Sequence, residues 1–297
     1  MIRVVEVGPR DGLQNEPTPI PTSVKAKFIR DLHAAGLTEI EATSFVHPKW
    51  VPQLADAAEL LQEIGDVKAK FSALIPNMKG LERAIELKLD RIALFTAASD
   101  AFTQKNINQS VAESITAFSE VATKFREVNP KAWIRGYVST IVECPYAGKI
   151  EPKAVADVAK KLIDLGVDEI SLGDTIGVAV PSEIHRVAEA IEDVVEKSKV
   201  AWHFHDTRGT AISNVAAMLE QGYTAFDSSA GGLGGCPYAH GAGGNLATED
   251  LVYFLQRYGL ATDLDLLAIA RSSLPVLEAV GRPRQSKVQI AILAACD

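Results

Sequence analysis

Eight short apolar runs recur along the chain, each followed by a segment with helical periodicity. This alternation restricts the fold more than any other feature. The strand candidates are RVVEVG (3–8), TEIEATSF (38–45), AKFSALIP (69–76), DRIALFTA (90–97), AWIRGYVS (132–139), DEISLGD (168–174), VAWHFHD (200–206) and AFDSSA (225–230). Their lengths and β-branched content suit buried parallel strands. The segments between them are amphipathic and carry helix start and stop residues: Thr22 and Ser23 before Gly36, Pro152 before Gly166, and a closing Gly222. Eight such units with no compositional break predict an α/β fold, a closed (β/α)8 TIM barrel in preference to an open doubly wound sheet. The 297 residues suffice for such a barrel and a sizeable core. After about residue 260 the pattern turns wholly helical, which predicts appended C-terminal helices packed on the barrel or at an oligomer interface. No Pro/Ser-rich linker interrupts the chain, so residues 1–297 read as one catalytic domain.

Composition narrows the partners. A net charge of −8 argues against broad nucleic-acid binding, which needs a basic footprint. It leaves room for an anionic small molecule met by local cations. Three cysteines, Cys144, Cys236 and Cys296, imply no disulfide framework and a reducing compartment. The chain opens directly on a strand, with no leader pattern, and holds no run of about 20 apolar residues, so no membrane association is expected. A bacterial cytoplasm is the expected location.

In a barrel of this kind, chemistry gathers where strands end and βα loops begin. Polar groups cluster at those positions. Arg10 and Asp11 follow the first strand, in a segment that a plain Asp-Gly turn would also explain. Glu39 and Glu41 share one face of the second strand. A carboxylate inside a barrel must be paired, and Arg10 is a candidate partner. Asp174 and Thr175 close the sixth strand. The strongest single signal is HFHD in the seventh: His203 and His205 point the same way, a ready pair of metal ligands. With Asp11 and an amide oxygen from Asn245 they form a nitrogen/oxygen set suited to a divalent cation, Mg2+ or Mn2+, with Zn2+ or Co2+ as in vitro substitutes. Among the cysteines, Cys236 stands out because it lies in GGLGGCPYAHGAGG, a segment that is half glycine.

These segments resemble the 3-hydroxy-3-methylglutaryl-CoA lyase family, among the metallolyase barrels related to the 2-isopropylmalate synthases. The likeness runs through residues 2–258 and is carried by EVGPRDGLQNE, IEATSFVHPKWVPQ, NINQS, RGYVS, CPYAGKI, SLGDTIG, HFHDT and above all GLGGCPYAHGAGGNLATEDLVY. The resemblance implies that Asp11, His203, His205 and Asn245 ligate the divalent metal. It implies that Arg10 stabilises a developing enolate oxygen, that Glu41 supports Arg10, and that Cys236 is a catalytic thiol. Substrate contacts are expected from Arg10, Gln14, Tyr137 and Thr175. The implied reaction is the retro-Claisen cleavage of 3-hydroxy-3-methylglutaryl-CoA to acetyl-CoA and acetoacetate.

On this reading Cys236 is the acid that protonates the enolate carbon, a role preferred to that of a nucleophile because the metal set already accounts for bond activation. Cys144, in ECPYAG, lacks the glycines and reads as structural. The acyl-CoA phosphates would be met by Lys49, Lys105 and Lys149, and the pantetheine by Asn106 and Asn108. A homodimer is usual in the family and fits the extra helices. Arg208 stands where an aromatic is common and His240 where Gln is common, and the tail diverges after about 260. These departures keep open a related lyase for a longer-chain 3-hydroxyglutaryl-CoA. A condensing relative, and a metal-binding barrel without catalysis, are the remaining alternatives.

Overall fold

The computed structural model describes residues 2–235, 244–260 and 263–295. Eight parallel strands form a closed barrel in sequence order. They are β1 (Arg3–Glu6), β2 (Glu39–Ser44), β3 (Lys70–Leu74), β4 (Arg91–Ala97), β5 (Trp133–Ser139), β6 (Glu169–Asp174), β7 (Val200–Phe204) and β8 (Ala225–Ser228). Closure is explicit in the register, which pairs Arg3 with Ala225 and Glu6 with Ser228. The eight strands are those read from the sequence, and the closing pair excludes an open sheet.

Helices α1 (Thr22–Ala34), α2 (Ala57–Ile64), α3 (Met78–Glu86), α4 (Asp100–Ile107), α5 (Val111–Val128), α6 (Pro152–Asp164), α7 (Pro181–Glu192), α8 (Ala211–Glu220) and α9 (Thr248–Arg257) fill the connections. The β4–β5 connection carries two of them. Ser99 caps α4, and a capping box of Ser110 and Glu113 starts α5. Beyond the barrel lie α10 (Leu266–Ser272), α11 (Leu274–Val280) and α12 (Lys287–Ala294), as the helical tail predicts. Helix α10 packs on α1, α9 and α12. None of the described helices is long and apolar enough to cross a membrane.

Strand alternation sorts the side chains. Along β7, Trp202 and Phe204 face the helices and stack at 5.7 Å, and Tyr223 meets Trp202 edge-on at 5.3 Å. His203 and His205 take the opposite face. The same rule sends Ile134 and Val138 of β5, and Ile170 and Leu172 of β6, into the apolar layer between strands and helices.

Barrel interiors are usually filled by branched apolar side chains. Here the interior is charged and closely paired. At the end where the strands begin, Glu39 is bound by Arg3 at 2.7 Å, Lys70 at 3.1 Å and Arg91 at 3.5 Å. Glu169 is bound by Arg3 at 2.5 Å and by Arg135 at 3.0 Å. Glu39 therefore belongs to this lower network, not to the same site as Glu41. Burial opposes ionisation of Glu39, but Arg3 and Lys70 hold its carboxyl down at about 2. Unpaired, the buried Glu39, Glu169 and Arg135 would be costly inside the barrel; paired, they line it, with the partly buried Arg3 and the exposed Lys70 at its rim.

Candidate active site

The first strand is shorter than the run RVVEVG. It stops at Glu6, and the chain winds into one π-helical turn over Gly8–Gly12. The carbonyl of Val7 accepts from the amides of Arg10, Asp11 and Gly12 at 3.2, 2.8 and 3.2 Å. The buried Glu6 carboxylate accepts from Gly8 N (2.8 Å), Ala230 N (3.0 Å) and Thr248 Oγ1 (2.7 Å), which ties this turn to the loop after β8. The turn delivers Arg10 and Asp11 to the C-terminal mouth of the barrel.

There the two residues meet β7. One nitrogen each of His203 and His205 and one carboxylate oxygen of Asp11 all lie within 4.8 Å of one another. The Nε2 atoms of the two histidines are 3.2 Å apart, and His203 Nε2 is 3.9 Å from Asp11 Oδ2. Asn245 reaches the same place because residues 244–246 run beside the end of β7. His205 and Asn245 form an antiparallel bridge, and Leu246 N donates to Phe204 O at 3.0 Å. The Asn245 amide donates to Asp11 Oδ2 at 2.9 Å and to Leu233 O at 3.1 Å. Its Oδ1 is buried with no hydrogen-bond partner among the described residues.

This donor set fits a divalent cation. Two imidazole nitrogens, a carboxylate and an unpartnered amide oxygen converge, with no thiolate among them. Asp227 of β8 accepts from His203 Nδ1 at 3.2 Å, which turns the other ring nitrogen inward, the usual support for a ligating histidine. Burial lowers both imidazoles. For His203 the Asp227 hydrogen bond and the Asp11 and Asp227 charges outweigh it, so its pKa is raised; His205, facing His203, is pushed down to about 4. Burial would raise Asp11, but Arg10 and the histidines hold its carboxyl below the usual range.

Arg10 is almost fully buried and spends its donors in order. Its Nε donates to Glu41 and its Nη1 donates to Asp11 Oδ1 at 2.8 Å. Among the described residues Nη2 has no hydrogen-bond partner. Burial opposes the guanidinium charge, but Glu41 and Asp11 keep it protonated. Glu41 in turn accepts from the Tyr137 hydroxyl, and Arg10 lies 5.2 Å over the Tyr137 ring. Burial, then the charge of Glu41, raises the Tyr137 phenol well above its ordinary value, so the phenol remains a donor.

The other residues expected from the sequence fall as follows. Gln14 donates to Asp11 Oδ1 at 3.1 Å. The Thr175 hydroxyl accepts from Thr140 N at 2.8 Å, bracing the loops after β5 and β6. Asp174 accepts from Val178 N and Ala179 N and holds its own turn. Arg208 Nη1 donates to the carbonyls of Ile176 and Gly177, both at 3.0 Å, and so links the loops after β6 and β7. Lys49, Lys105, Lys149, Asn106 and Asn108 are exposed, and Asn108 ends α4 in the left-handed conformation. Cys144 is buried, with Ser99 Oγ donating to its sulfur at 3.1 Å, which agrees with a structural role. Cys236 and His240 lie outside the described residues.

Two residues that support this site from below were not singled out from the sequence, Asp227 and Arg135. The signal was present: a charged side chain at an inward position of an otherwise apolar strand must have a partner across the barrel.

The sequence profile of the HMGL-like family matches residues 1–276. The mitochondrial hydroxymethylglutaryl-CoA lyase of Bos taurus is 48% identical over 288 residues, which is 97% of this chain and 88% of that protein. The 3-hydroxy-3-isohexenylglutaryl-CoA/hydroxy-methylglutaryl-CoA lyase of Pseudomonas aeruginosa is 45% identical over 294 residues, 99% of this chain and 97% of that one. The mitochondrial hydroxymethylglutaryl-CoA lyase of Arabidopsis thaliana is 46% identical over 98% of this chain, which spans only 62% of that protein's length. Among solved structures, the hydroxymethylglutaryl-CoA lyase of Pseudomonas aeruginosa superposes with a TM-score of 0.95 at 44% identity, covering 99% of this chain and 98% of that one. An HMG-CoA lyase of Acinetobacter baumannii in complex with coenzyme A and 3-methylmalate gives a TM-score of 0.92 at 37% identity, covering 98% and 95%.

Proposed function

The chain belongs to the HMGL-like family, and from that premise we propose that it is a divalent-metal-dependent carbon–carbon lyase cleaving 3-hydroxy-3-methylglutaryl-CoA to acetyl-CoA and acetoacetate. One observation supports this most. A buried arginine with a spare donor, Arg10, is joined at 2.8 Å to the carboxylate of a His–His–Asp cluster at the mouth of the barrel. Cleavage needs a cation at the enolate oxygen and an acidified hydroxyl next to it, and these groups supply both, Arg10 and Asp11 from the turn after β1 and the two histidines from β7.

Asp11, His203, His205 and Asn245 would hold the cation, Mg2+ or Mn2+. When bound, it supplies Lewis acidity that lowers the pKa of the substrate's 3-hydroxyl. The hydroxyl proton passes to Asp11 or to one of the two histidines, the bond between carbons 2 and 3 breaks, and its electron pair moves onto the thioester oxygen of the departing acetyl-CoA fragment, leaving acetoacetate. Arg10 Nη2 is the donor for that oxygen. Glu41 and Asp11 fix the guanidinium beforehand, so no reorganisation is needed as the charge develops. Gln14 steadies Asp11 by donating to the same Oδ1 that Arg10 holds. Tyr137 and Thr175 act through Glu41 and the loop backbone. Cys236 is our candidate for protonating the enolate carbon; its support is the glycine-rich sequence around it and its likeness to the family motif. The exposed Lys49, Lys105 and Lys149 are candidates for the coenzyme A phosphates.

A second reading is acceptance of a bulkier substituent at carbon 3. The Pseudomonas relative is named for an isohexenyl substrate as well as the methyl one, and Arg208 ties together the loops after β6 and β7. The deciding experiment is a steady-state assay of acetoacetate release from 3-hydroxy-3-methylglutaryl-CoA, with Mg2+, with a chelator, and with Cys236→Ser. Metal-dependent release that the serine variant loses is the expected result. No release from folded, metal-loaded protein would overturn the named substrate, and the isohexenyl analogue would be assayed next.

A further inference from the structure

We propose that Arg135 is a positioning residue that sets both halves of the active site at once, the cation-binding half and the Arg10 half. The inference rests on the metal-site reading given above. Arg135 lies in the middle of β5, 1% exposed, beneath the site and not in it. Its guanidinium reaches three groups. Nη2 donates to Asp227 Oδ1 at 2.6 Å, Nη1 donates to the Tyr137 hydroxyl oxygen at 3.3 Å, and Nε faces Glu169 Oε1 at 3.0 Å.

From these contacts two chains run upward. Asp227, also held by Ser171 Oγ at 2.8 Å, accepts from His203 Nδ1 at 3.2 Å and so sets the orientation of a ligand ring. Tyr137 donates to Glu41, Glu41 receives Arg10 Nε, and Arg10 Nη1 donates to Asp11 at 2.8 Å. The two chains meet again across the site, where Asp11 Oδ2 stands 3.9 Å from His203 Nε2. The result is a ring of buried polar side chains from β2, β5, β7, β8 and the first turn. Arg135 is the member that belongs to both arms.

The physical reason is geometric. A guanidinium is a planar fork with donors in several fixed directions, and it stays charged when buried. It can therefore fix a carboxylate on one side and a phenol oxygen on another without choosing between them. It also balances Asp227 and Glu169, which would otherwise be two buried carboxylates sharing too little positive charge. A lysine offers one nitrogen on a flexible stem and cannot hold the three directions together. The second coordination sphere of a metal site typically changes metal affinity 10–100-fold when disturbed. Loss of Arg135 should therefore be felt in cation binding, although Arg135 touches neither cation nor substrate.

The test uses Arg135→Lys, Asp227→Asn and Tyr137→Phe in the full chain, each checked for a native circular-dichroism spectrum. Mn2+ alone is titrated and followed by its electron paramagnetic resonance signal, and steady-state kinetics are run separately. Arg135→Lys is expected to weaken Mn2+ binding about 10-fold or more and to lower kcat at saturating Mn2+ as well. Asp227→Asn should reproduce the binding loss. Tyr137→Phe should reproduce the kcat loss with Mn2+ affinity within twofold of the parent. If Arg135→Lys fails to fold, the Asp227→Asn and Tyr137→Phe pair still decides: a Mn2+ affinity lowered equally in both, or in neither, overturns the two-arm assignment. A folded Arg135→Lys with parental Mn2+ affinity overturns it too. The Mn2+ isotherm does not depend on substrate identity, so a wrong substrate would show as an inactive parent with the binding pattern intact.

Discussion

The Nε2 atoms of His203 and His205 face each other across 3.2 Å inside the barrel mouth. Asp227 occupies the far nitrogen of His203, and the far nitrogen of His205 is buried without a partner among the described residues. Two inward nitrogens beside the Asp11 carboxylate make a donor set that could hold a cation.

Cation binding to the folded state alone should stabilise the protein. At a free Mn2+ concentration about 100 times the dissociation constant, linkage gives about 2.7 kcal/mol, or a rise in Tm of about 5 °C for a domain of this size. Differential scanning calorimetry with Mn2+ and with a chelator measures it. His205→Ala should abolish the rise. A parent protein with the same Tm in both buffers would remove the metal assignment.

Arg10→Lys tests the spare donor. Lysine keeps a charge but cannot serve Glu41, Asp11 and an enolate oxygen together. Turnover should fall by about 10²–10³-fold, the scale seen when one oxyanion donor is lost, with a much smaller change in KM. Equal losses in kcat/KM and in substrate binding, with kcat kept, would mean that Arg10 binds the ground state and not the enolate.

Gly177 is a steric test of the junction that aligns β7. Its φ is +60°, and a Cβ there would lie 2.8 Å from Thr207 N and 2.9 Å from His205 O. Gly209 has φ +71° with nothing within 4 Å. Gly177→Ala should therefore cost about 2 kcal/mol or more, Gly209→Ala only the roughly 1 kcal/mol of the left-handed backbone. Urea unfolding of the two variants compares them, and equal losses would refute the close approach to the His205 carbonyl.

Buried carboxylates beneath the β8 loop set a pH dependence. Burial raises Glu249 to about 8 and Glu6 to about 7, against the backbone N–H groups that they accept. Each keeps in the folded state a proton that the unfolded chain loses above about 4.5. Their contribution is complete below that value and is lost as pH rises through 7 to 8. Stability should thus fall between pH 5 and 8. Glu249→Gln should flatten that slope by up to about 1.4 kcal/mol per pH unit, with the Glu6 part remaining. Glu39 and Asp227, held down at about 2, act oppositely and lose their contribution only in strong acid. An unchanged slope in Glu249→Gln would show that this carboxyl is ionised in the fold.

The eight strands, the appended helices and the His-x-His pair were legible in the sequence because each is a local pattern. Period-two alternation, helix punctuation and two imidazoles on one face all lie within a few residues of themselves. The same holds for Arg10 and Asp11 after the first strand. The partners were not legible. Glu39 and Glu41 look equivalent, two apart on one strand, yet Glu39 is bound by Arg3, Lys70 and Arg91 at one end while Glu41 joins Arg10 and Tyr137 at the other. Arg135 sits 92 residues from Asp227, and only closure of β8 onto β1 brings every strand within reach of one interior. A charge in an apolar strand tells that a counter-charge exists somewhere; which residue supplies it is decided by strand register across the closed barrel, a property of the fold and not of any stretch of the chain.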